Sequence, residues 1–310
     1  EKHPDWVIHQ PNRETYYFRN QLVLDMSNPK VQDYVYGVVD KLMTAHPEIA
    51  FFKWDCNSPI TNIYSPYLKE KQSQLYIDHV RGIYKVLERI QVKYPHLPMM
   101  LCSGGGGRCD YEALKYFTEF WPSDNTDPVE RIFIQWGFSQ FFPANTLCAH
   151  VTSWGKQPLK FRTDVAMMGK LGFDISMADR SAAEQAFCRE AVANFKRLKP
   201  VILGGDLFRL VSPYETEHAA LVYVAKDKKK AVLYAYNIHP RFGEKLFPVR
   251  LQGLDPALQY RVEEINLMPE QKSKFSENGN VFSGDYLMKI GLAVFTTQPT
   301  TSRMIEITAE

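Results

Sequence analysis

The sequence lacks most of what would tie it to a membrane, a structural metal or a nucleic acid. No run of about 18 uninterrupted apolar residues occurs in its 310 residues, so no membrane-spanning helix and no membrane partner are expected. The five cysteines, Cys56, Cys102, Cys109, Cys148 and Cys188, include no CxxC pair and no short spacing to histidine, which excludes the usual zinc patterns. Their odd number and the absence of a disulfide framework point to a reducing compartment. The net charge is only +2, and the one obvious basic run, Lys226-Asp227-Lys228-Lys229-Lys230, lies between two apolar runs. It reads as a solvated hairpin turn, so no nucleic-acid partner is expected. Glu1-Lys2-His3-Pro4-Asp5-Trp6 is unlike a signal peptide and has no initiator Met, as expected of a processed or partial chain. The expected location is cytoplasmic or periplasmic.

With 45% hydrophobic and 23% charged residues, the chain has the make-up of an ordinary globular protein. Its length suits one barrel with a small appended domain, or two domains of equal size. Phe51-Phe52-Lys53-Trp54-Asp55-Cys56-Asn57 is the informative stretch. Aromatic, strand-prone residues run into a Lys, an Asp and an Asn, the pattern of a buried strand ending at an active-site mouth. An ordinary ion pair between Lys53 and Asp55 is the competing reading.

Strand and helix patterns alternate around this stretch. Gln21 to Asp25 reads as a strand. Ser27-Asn28-Pro29 supplies an N-cap and a first-turn proline for a helix whose apolar face is Val31, Val35, Val38 and Leu42, stopping near His46-Pro47. Tyr76, Val80, Ile83, Leu87 and Ile90 mark a second helix, ended by Pro95. Met99 to Cys102 is a strand that opens into Ser103-Gly104-Gly105-Gly106-Gly107-Arg108. A helical segment near Tyr111 to Phe117 precedes Phe120-Trp121-Pro122-Ser123-Asp124, and Pro128 to Ile132 is helix-compatible. Thr146 to His150 and Leu171 to Ile175 are strands, with helices over Phe161 to Met168 and Ala182 to Leu198. This alternation means βαβ units and a parallel sheet. From about Ala219 it gives way to short β-rich runs, at Leu221 to Val224, Ala231 to Tyr236, Tyr260 to Ile265, Ala293 to Thr297 and Met304 to Ile307, which predict an antiparallel all-β domain. The domains expected are residues 1–216 and 217–310.

Three consecutive strand ends therefore carry polar residues: Lys53-x-Asp55-x-Asn57, Cys102-Ser103-Gly104 and Ser123-Asp124-x-x-Asp127. In a barrel such ends converge on one mouth. Two carboxylates facing across a pocket suit glycoside hydrolysis, which needs one protonated and one ionised group. Lys53 would hold Asp55 ionised as a nucleophile, and a second carboxyl near that charge would keep its proton. The glycines lack a following Gly-Lys-Ser/Thr and the GxGxxG spacing, which disfavours a phosphate cradle. Close approach of backbone to a neutral sugar remains, beside the alternative of a flexible turn. Trp121, Trp136 and Trp154 read as core or rim packing, His150 as a structural residue, and Cys102 as a small shape-setting group.

Arg19-Asn20-Gln21-Leu22-Val23-Leu24-Asp25, Lys53-Trp54-Asp55-Cys56-Asn57, Cys102-Ser103-Gly104-Gly105-Gly106-Gly107-Arg108 and Ser123-Asp124-Asn125-Thr126-Asp127 with Glu130-Arg131 resemble, in order and spacing, the motif series of glycoside hydrolase family 36 α-galactosidases. Gly172-Phe173-Asp174-Ile175 agrees further on. The resemblance implies a (β/α)8 TIM-type barrel followed by an all-β antiparallel sandwich domain, and retaining hydrolysis of terminal α-galactosides of the melibiose or raffinose type without a metal or organic cofactor. It assigns Asp55 as nucleophile and Asp124 as general acid/base. Asp124 is preferred over Asp127, which would instead brace Arg131. The resemblance makes Arg19, Lys53, Asn57, Cys102, Ser103, Gly104 and Gly105 substrate-binding residues. The family's frequent tetramers imply a homo-oligomer. The family's N-terminal sandwich and first two barrel strands, with the Asp pair they supply, have no counterpart here, so the barrel is expected to lack its first strands. Related α-N-acetylgalactosaminidase activity is one alternative, against which Cys102 argues by favouring the smaller 2-hydroxyl. A catalytically inactive sugar-binding fragment is the other.

Overall fold

A computed structural model describes residues 2–310; Glu1, which opens the stretch read above as unlike a signal peptide, lies outside the described residues. The chain divides into two compact units, Glu1–Trp121 and Pro122–Glu310.

The first unit is built on α1 (Pro29–Ala45), β1 (Phe52–Asp55), α2 (Leu75–Lys93), β2 (Met99–Cys102) and β3 (Glu119–Phe120). The strands form one parallel sheet in the order β1-β2-β3. α1 starts as expected: the Asn28 side chain accepts from the Lys30 amide at 3.0 Å and Pro29 takes the first turn, where it costs no hydrogen bond. Its buried stripe is Val31 and Val39, with Val35 half-buried, whereas Val38 and Leu42 are exposed. α2 departs further from its apolar pattern, because Tyr76 and Val80 are exposed and the buried face runs through Leu75, His79, Gly82, Val86 and Ile90. Gly82 sets that face: a methyl there would run into the Met26 carbonyl.

Gln21 to Asp25 is not a regular strand. It makes only isolated bridges, Phe18↔Gln21 and Val7↔Leu24. A ladder needs a continuous partner edge, and among the described residues this segment meets none. It ends on the fully buried Asp25, whose carboxylate accepts from the hydroxyls of Ser27 and Ser65.

The second unit opens with α3 (Pro128–Phe138), β4 (Cys148–Thr152), α4 (Leu159–Ala166), β5 (Lys170–Asp174) and α5 (Ala182–Gly204). β4 and β5 pair in parallel. A capping box between Ser181 and Glu184 starts α5. β6 (Asp206–Val211), β7 (His218–Val224), β8 (Lys230–Asn237), β9 (Gln259–Ile265), β10 (Val281–Ser283), α6 (Gly284–Lys289) and β11 (Thr301–Ala309) follow. These strands form one antiparallel sheet in the order β10-β9-β11-β8-β7-β6. Lys226 to Lys230 is the β7–β8 hairpin turn, closed by the Ala225 amide on the Lys230 carbonyl at 2.8 Å.

The central strands β7, β8 and β11 are buried on both faces, whereas β9 leaves Gln259, Arg261 and Glu263 exposed. Tyr223, Tyr234 and Tyr236 project to one side, where their hydroxyls donate to the carbonyls of Met168, Met167 and Asp164. This packs the sheet against α3, α4 and α5 through Ile132, Phe161, Val165, Leu198 and Ile202. On the other side Val222, Leu233, Ile305 and Ile307 meet Val249, Leu251, Phe275, Leu287 and Leu292. That second layer is irregular: Ala293 to Thr297 is no strand, and its neighbour Leu292 bridges only to Val249.

Candidate active site

β1 sorts its side chains by the two-residue repeat of a strand: Phe52 and Trp54 are half-buried on one face, Lys53 and Asp55 exposed on the other. Asp55 stands in register with Cys102 of β2, so the two strands end level. Beyond that point the loops are stitched together. The Cys56 amide donates to the Cys102 carbonyl at 3.0 Å, the Ser103 hydroxyl to the Cys56 carbonyl at 2.7 Å, and the Gly104 amide to the Asn57 Oδ1 at 2.6 Å. Asn57, Cys102, Ser103 and Gly104 are thus brought together with the end of β1.

The glycine run is a turn folded on itself. Gly104 and Gly105 have φ of 56° and 90°, in the left-handed region that glycine enters without strain. The Ser103 amide closes the turn on the Gly105 carbonyl at 2.7 Å. The space where a Gly104 side chain would stand is open, with no atom within 4 Å. The loop therefore presents bare backbone beside Asn57.

Lys53 and Asp55 do not form the ion pair weighed above. The Lys53 ammonium lies over the Trp121 ring, 5.5 Å from its centroid, and Trp121 is itself buried. The Asp55 carboxylate makes no hydrogen bond or ion pair with any described residue, so it is open to a ligand. Arg19 occupies a left-handed corner of the Phe18–Gln21 turn, exposed and without a hydrogen bond to this group.

Arg108 is the residue that sequence reasoning missed. Its guanidinium donates to the carbonyls of Cys56, at 3.4 Å, and Ser58, at 3.0 Å, pinning the loop that follows Asp55. The signal was present, since Arg108 closes the glycine motif. A cleft of about 460 Å³ lies here, lined by Trp54, Asp55, Asn57, His79 and Arg108 among others. Burial first, and the Arg108 charge with it, hold the His79 pKa down at about 4 against the opposing Asp25 charge. Burial also raises the thiols of Cys56 and, to about 12, Cys109, so neither is an activated nucleophile.

His79 carries a stability prediction. Its folded pKa lies below the ordinary value near 6.5, so its contribution is complete above that value and declines as the pH falls toward about 4. Over that window the loss is on the order of 3 kcal/mol. His79→Gln should flatten this part of the acid limb in urea midpoints measured from pH 7 to 4; an unchanged limb would contradict the assignment.

In the second unit, Ser123 to Asp127 forms tight Asx and Ser turns: the Asn125 amide donates to the Ser123 Oγ at 3.1 Å and the Asp127 amide to the Asn125 Oδ1 at 3.0 Å. Asp124 is exposed at the head of this loop. Asp127 does not brace Arg131. It caps α3, accepting from the amides of Val129 and Glu130, and takes the Gln157 amide on its other oxygen. Arg131 is buried and donates instead to the carbonyls of Ser123, Asn125 and Cys148. Burial pulls its pKa to about 10, with Cys148 and Asp124 opposing. It therefore holds the Asp124 loop in shape and lends it positive charge. Asp127→Ala should cost about 1 kcal/mol as a lost cap, read from the denaturation midpoint, with little effect on turnover.

The sequence matches the melibiase family over residues 1–205. The chain belongs to this family. Residues 218–307 match the glycosyl hydrolase family 36 C-terminal domain. Among curated relatives of this chain, alpha-galactosidase AgaA of Geobacillus stearothermophilus is 34% identical over 300 residues, covering 94% of this chain and 39% of the relative. Alpha-galactosidase 1 of Pediococcus pentosaceus is 32% identical over 298 residues, with the same coverage. The chain thus spans about two fifths of the length of these relatives. The crystal structure of family 36 α-galactosidase AgaB from G. stearothermophilus superposes with a TM-score of 0.91 at 33% identity, covering all of this chain and 42% of that one. An AgaA variant in complex with raffinose gives 0.91 at 32% identity. The parallel α/β region and the antiparallel sheet that follows it are accordingly those of a family 36 TIM barrel and its C-terminal β domain.

Proposed function

We propose that the protein to which this chain belongs is a retaining α-galactosidase acting on terminal α-galactosides of oligosaccharides. Family membership supports the reaction class, and the observation that carries the residue assignment is the Asp55 carboxylate, exposed and unengaged at the end of a parallel strand beside an open glycine turn. In this reading Asp124 protonates the glycosidic oxygen while Asp55 attacks the anomeric carbon. The sugar C–O bond breaks as the Asp55 ester forms; Asp124 then takes a proton from water, which attacks the same carbon and releases galactose and the Asp55 carboxylate. Lys53, held over Trp121, and Arg19 would bind sugar hydroxyls, as would Asn57, Ser103 and the backbone of Cys102, Gly104 and Gly105.

The AgaA complexes with raffinose and stachyose were obtained with variants in which an aspartate is replaced by Asn or by Ala. The two replaced positions lie 70 residues apart in that chain, and Asp55 and Asp124 lie 69 apart in this one, a spacing that supports pairing them. Release of 4-nitrophenol from its α-galactoside, with none from the α-N-acetylgalactosaminide, is the expected result; the reverse preference would transfer the chain to the alternative activity.

A further inference from the structure

The second unit carries a cleft of about 1010 Å³ that none of the residues assigned to catalysis lines. Its walls are the first turn of α4, the segment from Leu267 to Lys274 after β9, and the start of β11. Two independent features there lack a partner.

The first is Arg303. It is only 9% exposed, and its guanidinium stacks on Phe275 at 5.1 Å. Among the described residues it makes no hydrogen bond and no ion pair. Burial pulls its pKa down, opposed by the more distant Glu264 and Glu277. Those carboxylates are engaged elsewhere, Glu264 by the Ser273 hydroxyl and Glu277 by the Ala293 amide. The stem is buried while the unused donors open onto the cleft, where an acceptor could meet them.

The second feature is the N-terminus of α4. Its N-cap is Pro158, which has no side chain able to accept from the first-turn amides. Pro158, Leu159, Lys160 and Phe161 line the cleft, so the positive end of the helix opens onto it. Adjacent Ser302 donates to Asp164 of α4 at 2.7 Å, which ties the helix to the Arg303 strand. The charge balance has the same sign. Lys160 is matched by Asp164 and Glu184 by Arg180, which leaves Arg303, Lys272 and Lys274 against Glu264.

We propose that this cleft binds a phosphoryl oxyanion, as inorganic phosphate or as the phosphoryl group of a small phosphorylated metabolite. Arg303 offers a two-pronged contact and the α4 amides complete the cradle.

The test is calorimetric titration at constant ionic strength with inorganic phosphate, a hexose phosphate, the free hexose and chloride. Saturable phosphate binding is expected, weakened about tenfold or more in Arg303→Met and partly kept in Arg303→Lys. Tighter binding of the hexose phosphate identifies the metabolite as the source, and equal binding identifies free phosphate. Phosphate behaving like chloride, free hexose binding as well as its phosphate, or unchanged binding by a folded Arg303→Met would each overturn the proposal. Should that variant not fold, the surface double variant Lys272→Gln/Lys274→Gln must weaken phosphate binding and flatten its salt dependence; if it does neither, the proposal is overturned.

Discussion

Replacing Asp55 with Ala should lower turnover of an aryl α-galactoside by about 10⁴-fold or more, the order of loss seen when an enzyme is deprived of its nucleophile. The fold should survive. Asp55 is exposed and its carboxylate makes no hydrogen bond or ion pair with a described residue, so its removal leaves no buried group unsatisfied. The matching Asp124→Ala variant separates the two roles. An activated 4-nitrophenyl leaving group needs little protonation, so Asp124→Ala should lose far less on that substrate than on raffinose. Added azide should rescue both variants with opposite stereochemistry. In Asp124→Ala it intercepts the covalent intermediate and gives the α-azide, whereas in Asp55→Ala it attacks directly and gives the β-azide. Wild-type-like turnover by Asp55→Ala, or an α-azide product from it, would remove Asp55 from the nucleophile's place.

The parts of this assignment that were legible in the sequence are those in which local chemistry decides the structure. Phe52, Lys53, Trp54 and Asp55 alternate in polarity with the period of the strand that they form. Asn28-Pro29 starts a helix because capping needs only residues a few positions apart. The glycine run forms a turn, the alternative weighed for it, with Gly104 and Gly105 at positive φ. What was not legible depends on neighbours distant in sequence. Gln21 to Asp25 has a strand's composition, but ladder formation needs a facing edge. The buried face of α2 is defined by His79 and Gly82, which apolar periodicity passes over, while Tyr76 and Val80 satisfy the periodicity and face outward. Asp127 and Arg131 stand four residues apart, a spacing that suggests an ion pair. The helix amides and the backbone carbonyls are better placed partners, and each side chain takes those instead.

The same dependence on distant partners makes Asp164 a consequential stability position in the second unit. It is fully buried on α4 and collects three side chains from far along the chain or one helical turn away: Lys160 and Ser302 on one carboxylate oxygen, Asn266 on the other. Sequence reading placed Asp164 inside a helix and found no role for it, because Asn266 and Ser302 lie on β-domain segments more than a hundred positions later. Asp164→Ala would leave the Lys160 ammonium half-buried without its counter-ion and strand the Asn266 and Ser302 donors in the core. Breaking one side of a buried pair costs about 3–5 kcal/mol, and the stranded donors add to it. That is a large part of the margin of a typical domain. The expected result is a fall in the urea midpoint large enough to lower the yield of folded protein, with Asp164→Asn losing less because it still accepts from Ser302. The triple replacement Lys160→Met, Asp164→Leu, Ser302→Ala removes both charges and one hydroxyl together and should recover part of the loss. A double-mutant cycle showing Lys160 and Asp164 to be additive would mean that the carboxylate is held by the hydroxyl and the amide, and that the ion pair contributes nothing.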